Sequence, residues 1–588
     1  MMNTTTYNAA ATETSKNGSR NPRKKWWTLL IIILLTITLT IGMPLAILSF
    51  VNNENPSSGN IHNPTIPSPQ TAIISETCTK TLYPSLCFTS FSSFPSSIRI
   101  TSPERLLEFS INGTVKSVQD SRTKISLLVN GNQQEKNALN DCIEMLDQTL
   151  YELGQVSNVL KNYSVLIGFR HQLYSEFKTL LSAAMTNENT CIQGIEDVEE
   201  ANPETHMGLK DVVQRLLNPV SKLISNCLAM VKYMESTSGG GSKVMITKHR
   251  QASHGFPAWM TANDRKLMQI VVPQIMSNTT VAAVGHANDR TIGAAVRMAP
   301  SFSKQRYVIK IKAGIYNESV EIPREKSNIM LVGDGMDSTI TGCKNILDGS
   351  STFKSATLTV IGARFLARDL TVINTSGPEK QQAVAVRVTS DSAFYKCNFA
   401  SFQDTLYVHS LRQFYRECTI QGTVDFIFGN AAAIFQNCLI LVRKPIAGQK
   451  NMITAQGRED PNQNTGISLQ NCTIEAAPDL IRAGRSSYTF LGRPWRNHSR
   501  TIVMKSYLGD LIHPAGWYEW NQYSTLDTVE YIEYMNVGPG SDTRHRVTWG
   551  GYKRNCTEYL VEQFTVGKFL HGADNWLQST GFPLSVGS

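Results

Sequence analysis

A helical bundle followed by a parallel β-helix is the fold that this 588-residue sequence predicts. Three observations predict it. Apolar residues recur at helical spacing from Thr71 to about Tyr233, short β-rich runs replace them beyond about Ile270, and cysteines and aspartates within the β-rich part repeat at one offset. Cys397, Cys418 and Cys438 are spaced by 21 and 20 residues, and Asp404 and Asp425 by 21. Periods of roughly 20–50 residues mark solenoids, and strand-rich coils at the short end of that range read as a β-helix. A β-sandwich is the alternative, but it gives no reason for equal offsets.

In chain order, residues 1–25 read as a cytosolic tail, with Arg20, Arg23, Lys24 and Lys25 ahead of an apolar run from Trp26 to about Val51. That run exceeds the roughly 7–15 residues of a signal-peptide core and is about long enough to cross a bilayer. Its basic flank keeps the N-terminal side cytosolic. Residues 26–51 are therefore expected to be a transmembrane signal anchor; a long cleaved signal peptide is the alternative. Residues 52–70, rich in Pro, Ser and Asn, read as a linker. Residues 71–233 carry the helical pattern, as in Leu106, Leu107, Phe109 and Ile111, then Leu139, Cys142, Met145 and Leu146, and predict an antiparallel bundle. Cys78 and Cys87 flank Tyr83-Pro84 and are placed to close a hairpin; Cys142 and Cys191 fall on different expected helices and are placed to tie them. Cys227 reads as a small buried apolar residue. Residues 234–268 form a second linker, with a Gly/Ser stretch at Ser236–Ser242 and a dibasic site at Arg265-Lys266-Leu267-Met268. An exposed interdomain segment of that kind invites a processing protease. Residues 269–588 hold the short β runs, among them Tyr307–Ile311, Ile329–Val332, Ala383–Val388 and Leu439–Val442.

The formal charge of +9 suits a polyanionic partner. No nucleic-acid module is recognisable, so nucleic acid is not expected and an acidic polysaccharide is. Eleven cysteines fit an oxidising compartment and leave at least one unpaired; no Cys-x-x-Cys pair argues for structural zinc. Sequons at Asn112, Asn162, Asn278, Asn317, Asn374, Asn471, Asn497 and Asn555 agree with secretion.

No Gly-x-Ser-x-Gly elbow and no His-Glu-x-x-His motif occurs. The candidates that remain are Asp404 and Asp425, each in a run of aromatic and β-branched residues where a carboxylate is costly to bury without a task. If their equal spacing stacks them on neighbouring coils, they lie roughly 4.8 Å apart per coil step. Two such carboxylates do not both ionise easily, which leaves an acid beside an anion at neutral pH. Taken singly, each has a plainer reading: an Asp in a solenoid turn commonly caps an amide, Arg493 reads as an ion pair, and Trp495 as core.

The stretches Lys312–Glu318, Gln382–Val386, Phe402–Tyr407, Asp425–Asn430 and Leu491–Trp495 resemble, in order, the signature segments of plant pectin methylesterases. Thr77-Cys78, Tyr83–Cys87 and Leu139–Cys142 are similar to the pectin methylesterase inhibitor domain. The resemblance implies a right-handed parallel β-helix after a four-helix inhibitor-like bundle, made as a membrane-anchored precursor and released into the cell wall. It implies hydrolysis of the C6 methyl esters of homogalacturonan. By it, Asp425 is the nucleophile, Asp404 the proton donor and base, and Gln403 and Gln382 the oxyanion donors. Thr352, Gln382, Arg493 and Trp495 hold substrate. No cofactor and no metal are needed. It implies disulfides Cys78–Cys87, Cys142–Cys191 and Cys418–Cys438, while register alone equally allows Cys397 to meet Cys418. Cys343, Cys472 and Cys556 receive no partner. Phe426 and Phe428 are expected to wall the carboxylates. The chain departs from the family pattern at Ser401, where Gly is usual, along Val281–Asn288, where the first coil is expected to be irregular, and at Gln193, where the inhibitor domain usually has Asp. Two other readings are a polysaccharide lyase, which wants a calcium-binding carboxylate cluster, and a non-catalytic pectin-binding regulator.

Overall fold

The computed structural model describes residues 69–92, 99–129, 131–161, 163, 170–201, 208–238, 275–484, 487–521 and 525–570. The expected anchor, the dibasic site and the sequon Asn162 lie outside these residues. Among the described residues no helix is long and apolar enough to cross a membrane.

Two short helices, α1 (Pro69–Cys78) and α2 (Pro84–Ser92), precede four long ones: α3 (Pro103–Ser126), α4 (Gln133–Lys161), α5 (Arg170–Ala201) and α6 (Leu209–Ser238). The long helices pack in a ring, α3 on α4, α4 on α5, α5 on α6 and α6 back on α3. Their starts are encoded locally. Ser102 caps α3 through the Arg105 amide, with Pro103 in the first turn, where its missing N–H costs nothing. Asn132 and Glu135 cap α4 reciprocally, each side chain accepting from the other's backbone N–H. Leu107, Ile111, Val118, Leu139, Leu146, Phe177 and Leu181 are fully buried, as their spacing predicts. Cys78–Cys87 joins α1 to α2 and Cys142–Cys191 joins α4 to α5, both as expected. Cys227 is a buried free thiol.

From Thr279 onward the chain coils into three parallel sheets of eleven, eight and seven strands. In each sheet a strand pairs with the equivalent strands of the coils before and after it. The seven-stranded sheet carries the site. Its strands are β1 (Val320–Ile322), β2 (Leu358–Val360), β3 (Val386–Val388), β4 (Leu406–Val408), β5 (Ile427–Gly429), β6 (Asn451–Gln456) and β7 (Thr489–Pro494), paired side by side in that order. The coil interior is filled by stacks. Phe394, Tyr415 and Phe435 lie ring on ring, with centroids 5.0 and 4.6 Å apart. The first coil is irregular as expected: the strand Thr279–Val281 ends where Val281 bridges Asp289.

One expectation fails here. Cys418 and Cys438 are separate thiols, not a disulfide. They belong to a ladder of four, because Asn398, Thr419, Leu439 and Thr473, each one residue beyond a cysteine, pair in register. Cys397, Cys418, Cys438 and Cys472 thus have equivalent neighbours along the stack. Their thiols turn to backbone carbonyls instead, Cys418 to Arg416 at 3.4 Å and Cys438 to Tyr415 at 3.5 Å. The Asn374 sequon is also internal: its amide is 2% exposed and donates to the carbonyls of Lys344 and Val384, which leaves no room for a glycan.

Candidate active site

Leu406 pairs with Ile427 in register, so Asp404 and Asp425, each two residues earlier, occupy the same point on successive coils. The amide of Asp404 donates to the Val424 carbonyl at 3.0 Å, tying the two turns together. Both aspartates have left-handed backbone, φ 63° and 51°, a conformation that Asp adopts more readily than most residues. They are 7% and 5% exposed. This turn geometry overturns one expectation. Left-handed Asp425 resets the side-chain alternation, so Phe426 points into the core beside Ile427 while Phe428 alone faces the groove. Ser401 also stays out of the groove: its hydroxyl is buried and donates to the Ala383 carbonyl at 2.7 Å.

Arg493 on β7 clamps Asp425 with two bonds, Nε to Oδ1 at 2.9 Å and Nη2 to Oδ2 at 2.5 Å. Bidentate pairing is the strong geometry for guanidinium and carboxylate. Burial raises the pKa of both aspartates, but unequally. Asp404 is pushed well above the usual carboxylate range by burial and then by the Asp425 charge. For Asp425 burial raises the pKa while Arg493 opposes it through charge and hydrogen bonds. Of the pair, Arg493 favours the charged form of Asp425, while burial and the neighbouring charge favour the protonated form of Asp404.

The groove beside them is a cavity of about 550 Å³ lined by Thr352, Gln382, Gln403, Asp404, Asp425, Arg493 and Trp495, so every expected catalytic and substrate residue meets there. Gln382 and Gln403 bridge on adjacent coils, one residue before the stacked turn for Gln403, and Gln382 Oε1 is buried without a hydrogen-bond partner. Tyr407 and Phe428 stack at 4.2 Å as the floor, with Trp495 edge-on to both. Gly457 lies under Trp495, where a Cβ would come within 2.8 Å of the indole. Sequence reasoning missed Phe353, Tyr407 and Trp520 among the lining residues. The alternation of Leu406-Tyr407-Val408 was the available signal for Tyr407. Among the described residues no cluster of His, Cys, Asp or Glu is placed to hold a metal ion.

The bundle forms the roof of this cavity. Asp141 and Met145 of α4 and Thr190, Gln193, Glu196 and Asp197 of α5 line it. Polar contacts fix the roof: Asp141 accepts from Ser351 at 2.6 Å, Gln193 accepts from Arg496 at 2.6 Å, and Thr190 meets His409 at 2.9 Å. His409 is fully buried, which lowers its pKa well below the usual value and keeps the imidazole neutral. Arg412 bridges Glu176 of α5, at 2.7 Å, and Asp391 of the β-helix. Gln193 thus lines the cavity and ties α5 to the β-helix through Arg496.

A parallel β-helix with a buried acid, an anion and a clamping arginine in one groove has the means to attack an ester and protonate its alcohol. It is the site of a carboxylic ester hydrolase, and the comparisons agree. The family model described as pectinesterase matches residues 278–573, and that described as plant invertase/pectin methylesterase inhibitor matches residues 72–230. Pectinesterase 1 of Citrus sinensis is 45% identical over 545 residues, which cover 91% of this chain and 91% of that protein. Pectinesterase/pectinesterase inhibitor U1 of Solanum lycopersicum is 41% identical over 579 residues, covering 96% of this chain and 97% of its own. The solved pectin methylesterase from carrot is 53% identical with a TM-score of 0.53, and the match covers 53% of this chain and 99% of the carrot chain. The chain belongs to the pectinesterase family.

Proposed function

We propose that the β-helix hydrolyses the C6 methyl esters of homogalacturonan, releasing methanol and leaving a carboxylate, and that the helical bundle blocks the groove until it is removed. The observation that carries the reading is the pair of stacked aspartates, one clamped by Arg493 and one whose burial favours its protonated form. Asp425 attacks the ester carbonyl, and the tetrahedral oxyanion takes hydrogen bonds from the amides of Gln403 and Gln382. Collapse expels methanol as Asp404 gives its proton to the leaving oxygen. The product of this step is an acyl-enzyme, a mixed anhydride on Asp425. Asp404, now ionised, takes a proton from water as the water attacks the acyl carbon, and Asp425 leaves as carboxylate. Arg493 keeps Asp425 ionised and aimed. Trp495 and Thr352 hold the sugar, the indole offering a flat apolar face.

The coil is read as right-handed, as nearly all crossovers between parallel strands are. We assign residues 71–233 to the inhibitor-like pro-region and residues 269–588 to the esterase. The basic flank and apolar run at residues 20–51 support a signal anchor, and the Arg265-Lys266 pair supports cleavage near Met268. Both point to a secreted precursor with its mature enzyme in the cell wall. The test is methanol release from methylated pectin by the full chain, before and after cleavage at a protease site engineered between residues 239 and 274. Release that appears or rises sharply on cleavage supports both halves of the proposal. Equal release before and after rejects the blocking role, and none in either state rejects the esterase.

A further inference from the structure

One row of side chains crosses the groove face of the seven-stranded sheet. Register places Thr359, Arg387, Tyr407, Phe428, Ala455 and Arg493 side by side on successive strands β2 to β7. The flanking Val386 and Val388, with Leu406 and Val408, point into the coil core. Arg387 therefore faces the same way as Tyr407, Phe428 and Arg493, which line the cavity.

Arg387 is unlike the other arginines of the interface. It is completely buried and is not itself among the cavity-lining residues, yet Nε, Nη1 and Nη2 have no hydrogen-bond partner. Its guanidinium lies 3.4 Å from the ring centroid of Phe353, a cation–π contact. The acidic side chains whose charge reaches it are Glu144 and Asp141 of α4 and Glu321 of β1. The two from α4 are bonded elsewhere, Glu144 to Lys354 at 2.5 Å and Asp141 to Ser351 at 2.6 Å. A buried guanidinium with five unused donors is costly. The fold of the β-helix gives no reason for it, because the arginine is on the outward face of its strand. A planar fork held flat on an aromatic ring is suited to bidentate recognition of a carboxylate.

We propose that Arg387 is a binding subsite for the free carboxylate of a galacturonate unit adjoining the ester under attack, and that Asp141 and Glu144 of the bundle supply negative charge there while the bundle is docked. The inference rests on the esterase reading and deepens it. Strand β3 is two coil steps from β5, whose preceding turn holds Asp425, so the subsite is displaced from the nucleophile by roughly 10 Å. It would read a neighbouring sugar, not the reacting one. Arg387 would thus make the enzyme prefer esters next to carboxylates it has already uncovered.

The experiment is equilibrium binding of an unesterified galacturonate oligomer to the chain cleaved between residues 239 and 274, compared with Arg387→Gln and Arg387→Lys. Cleaved wild type is expected to bind about tenfold more tightly than Arg387→Gln, with Arg387→Lys between them, and the uncleaved chain to bind least. In parallel, the ratio of kcat/KM on partly de-esterified pectin to that on fully methylated pectin should fall about tenfold in Arg387→Gln. Equal binding by wild type and Arg387→Gln, or an unchanged ratio with overall activity lowered on both substrates, overturns the proposal and makes the arginine a structural element. If Arg387→Gln does not fold, equal binding by Arg387→Lys, cleaved and uncleaved chains overturns it. Absent methanol release with oligomer binding intact would instead count against the esterase reading alone.

Discussion

The bundle and the β-helix bury their apolar surface by different repeats, and the difference separates a fixed site from a removable cover. In the β-helix, register decides everything. A 21-residue coil stacks Asp404 on Asp425 and Cys397 on Cys418, and the same ladder sets Arg493 across from them. The bundle holds itself by an apolar seam and two disulfides, and that seam runs on into the groove residues Phe353, Tyr407 and Phe428, flanked by polar contacts such as Arg412–Glu176, Ser351–Asp141 and Arg496–Gln193. Catalytic geometry is therefore set by the repeat, whereas docking adds an apolar patch over the groove to separate polar contacts around it.

The largest effect that follows is on the repeat side. Asp425→Ala should remove methanol release, by a factor of at least about 10³, with the fold intact by circular dichroism. Substantial residual turnover would show that the nucleophile lies elsewhere. Gln403→Ala and Gln382→Ala should each lower kcat by roughly 10²–10³, the usual cost of one oxyanion donor. A rise in KM with kcat unchanged would instead make them binding groups.

On the docking side, Glu176→Ala removes one partner of Arg412, leaving Asp391. Glu176 is more than a third exposed, so the loss should be about 1 kcal/mol after screening, seen as a several-fold rise in the activity of the uncleaved chain. No rise would mean that the cover is held by its apolar contacts alone. The effect that touches activity least, because it acts on stability, concerns Glu152 in α4, whose pKa burial pushes up to about 8. A carboxyl with a raised folded-state pKa holds its proton more tightly when folded. Its contribution is best below the unfolded pKa and is lost as pH rises towards about 8. Thermal melts of the uncleaved chain should fall between pH 5 and 8, and Glu152→Gln should flatten that fall. An equal slope in both proteins would place the titration elsewhere.

The β-helix was legible in the sequence because its period brings chemically special residues back at one offset. The catalytic pair was legible for the same reason, and the resemblance then supplied roles that spacing alone does not. What stayed hidden has physical causes. The direction of Phe426 depends on the left-handed turn at Asp425, which no alternation pattern reveals. The four-cysteine ladder gives every thiol equivalent neighbours, so spacing could not say that the thiols would turn to carbonyls. The docking face of α4 and α5 carries Asp141, Glu144, Glu176 and Gln193 with no local period that distinguishes them from solvated polar residues. Arg387 sits in an alternating β run whose outward face is ordinarily polar, and only its burial in the fold makes its lack of partners visible.

The pH dependence of kcat/KM for the cleaved chain tests most directly whether neighbouring coils hold one charged and one protonated carboxyl in the same groove. Activity should fall on the acid side as Asp425 protonates and on the alkaline side as Asp404 loses its proton. In Asp404→Asn the alkaline limb should vanish along with most of the rate. A profile flat across both regions, or an alkaline limb that survives in Asp404→Asn, would contradict the paired-aspartate account.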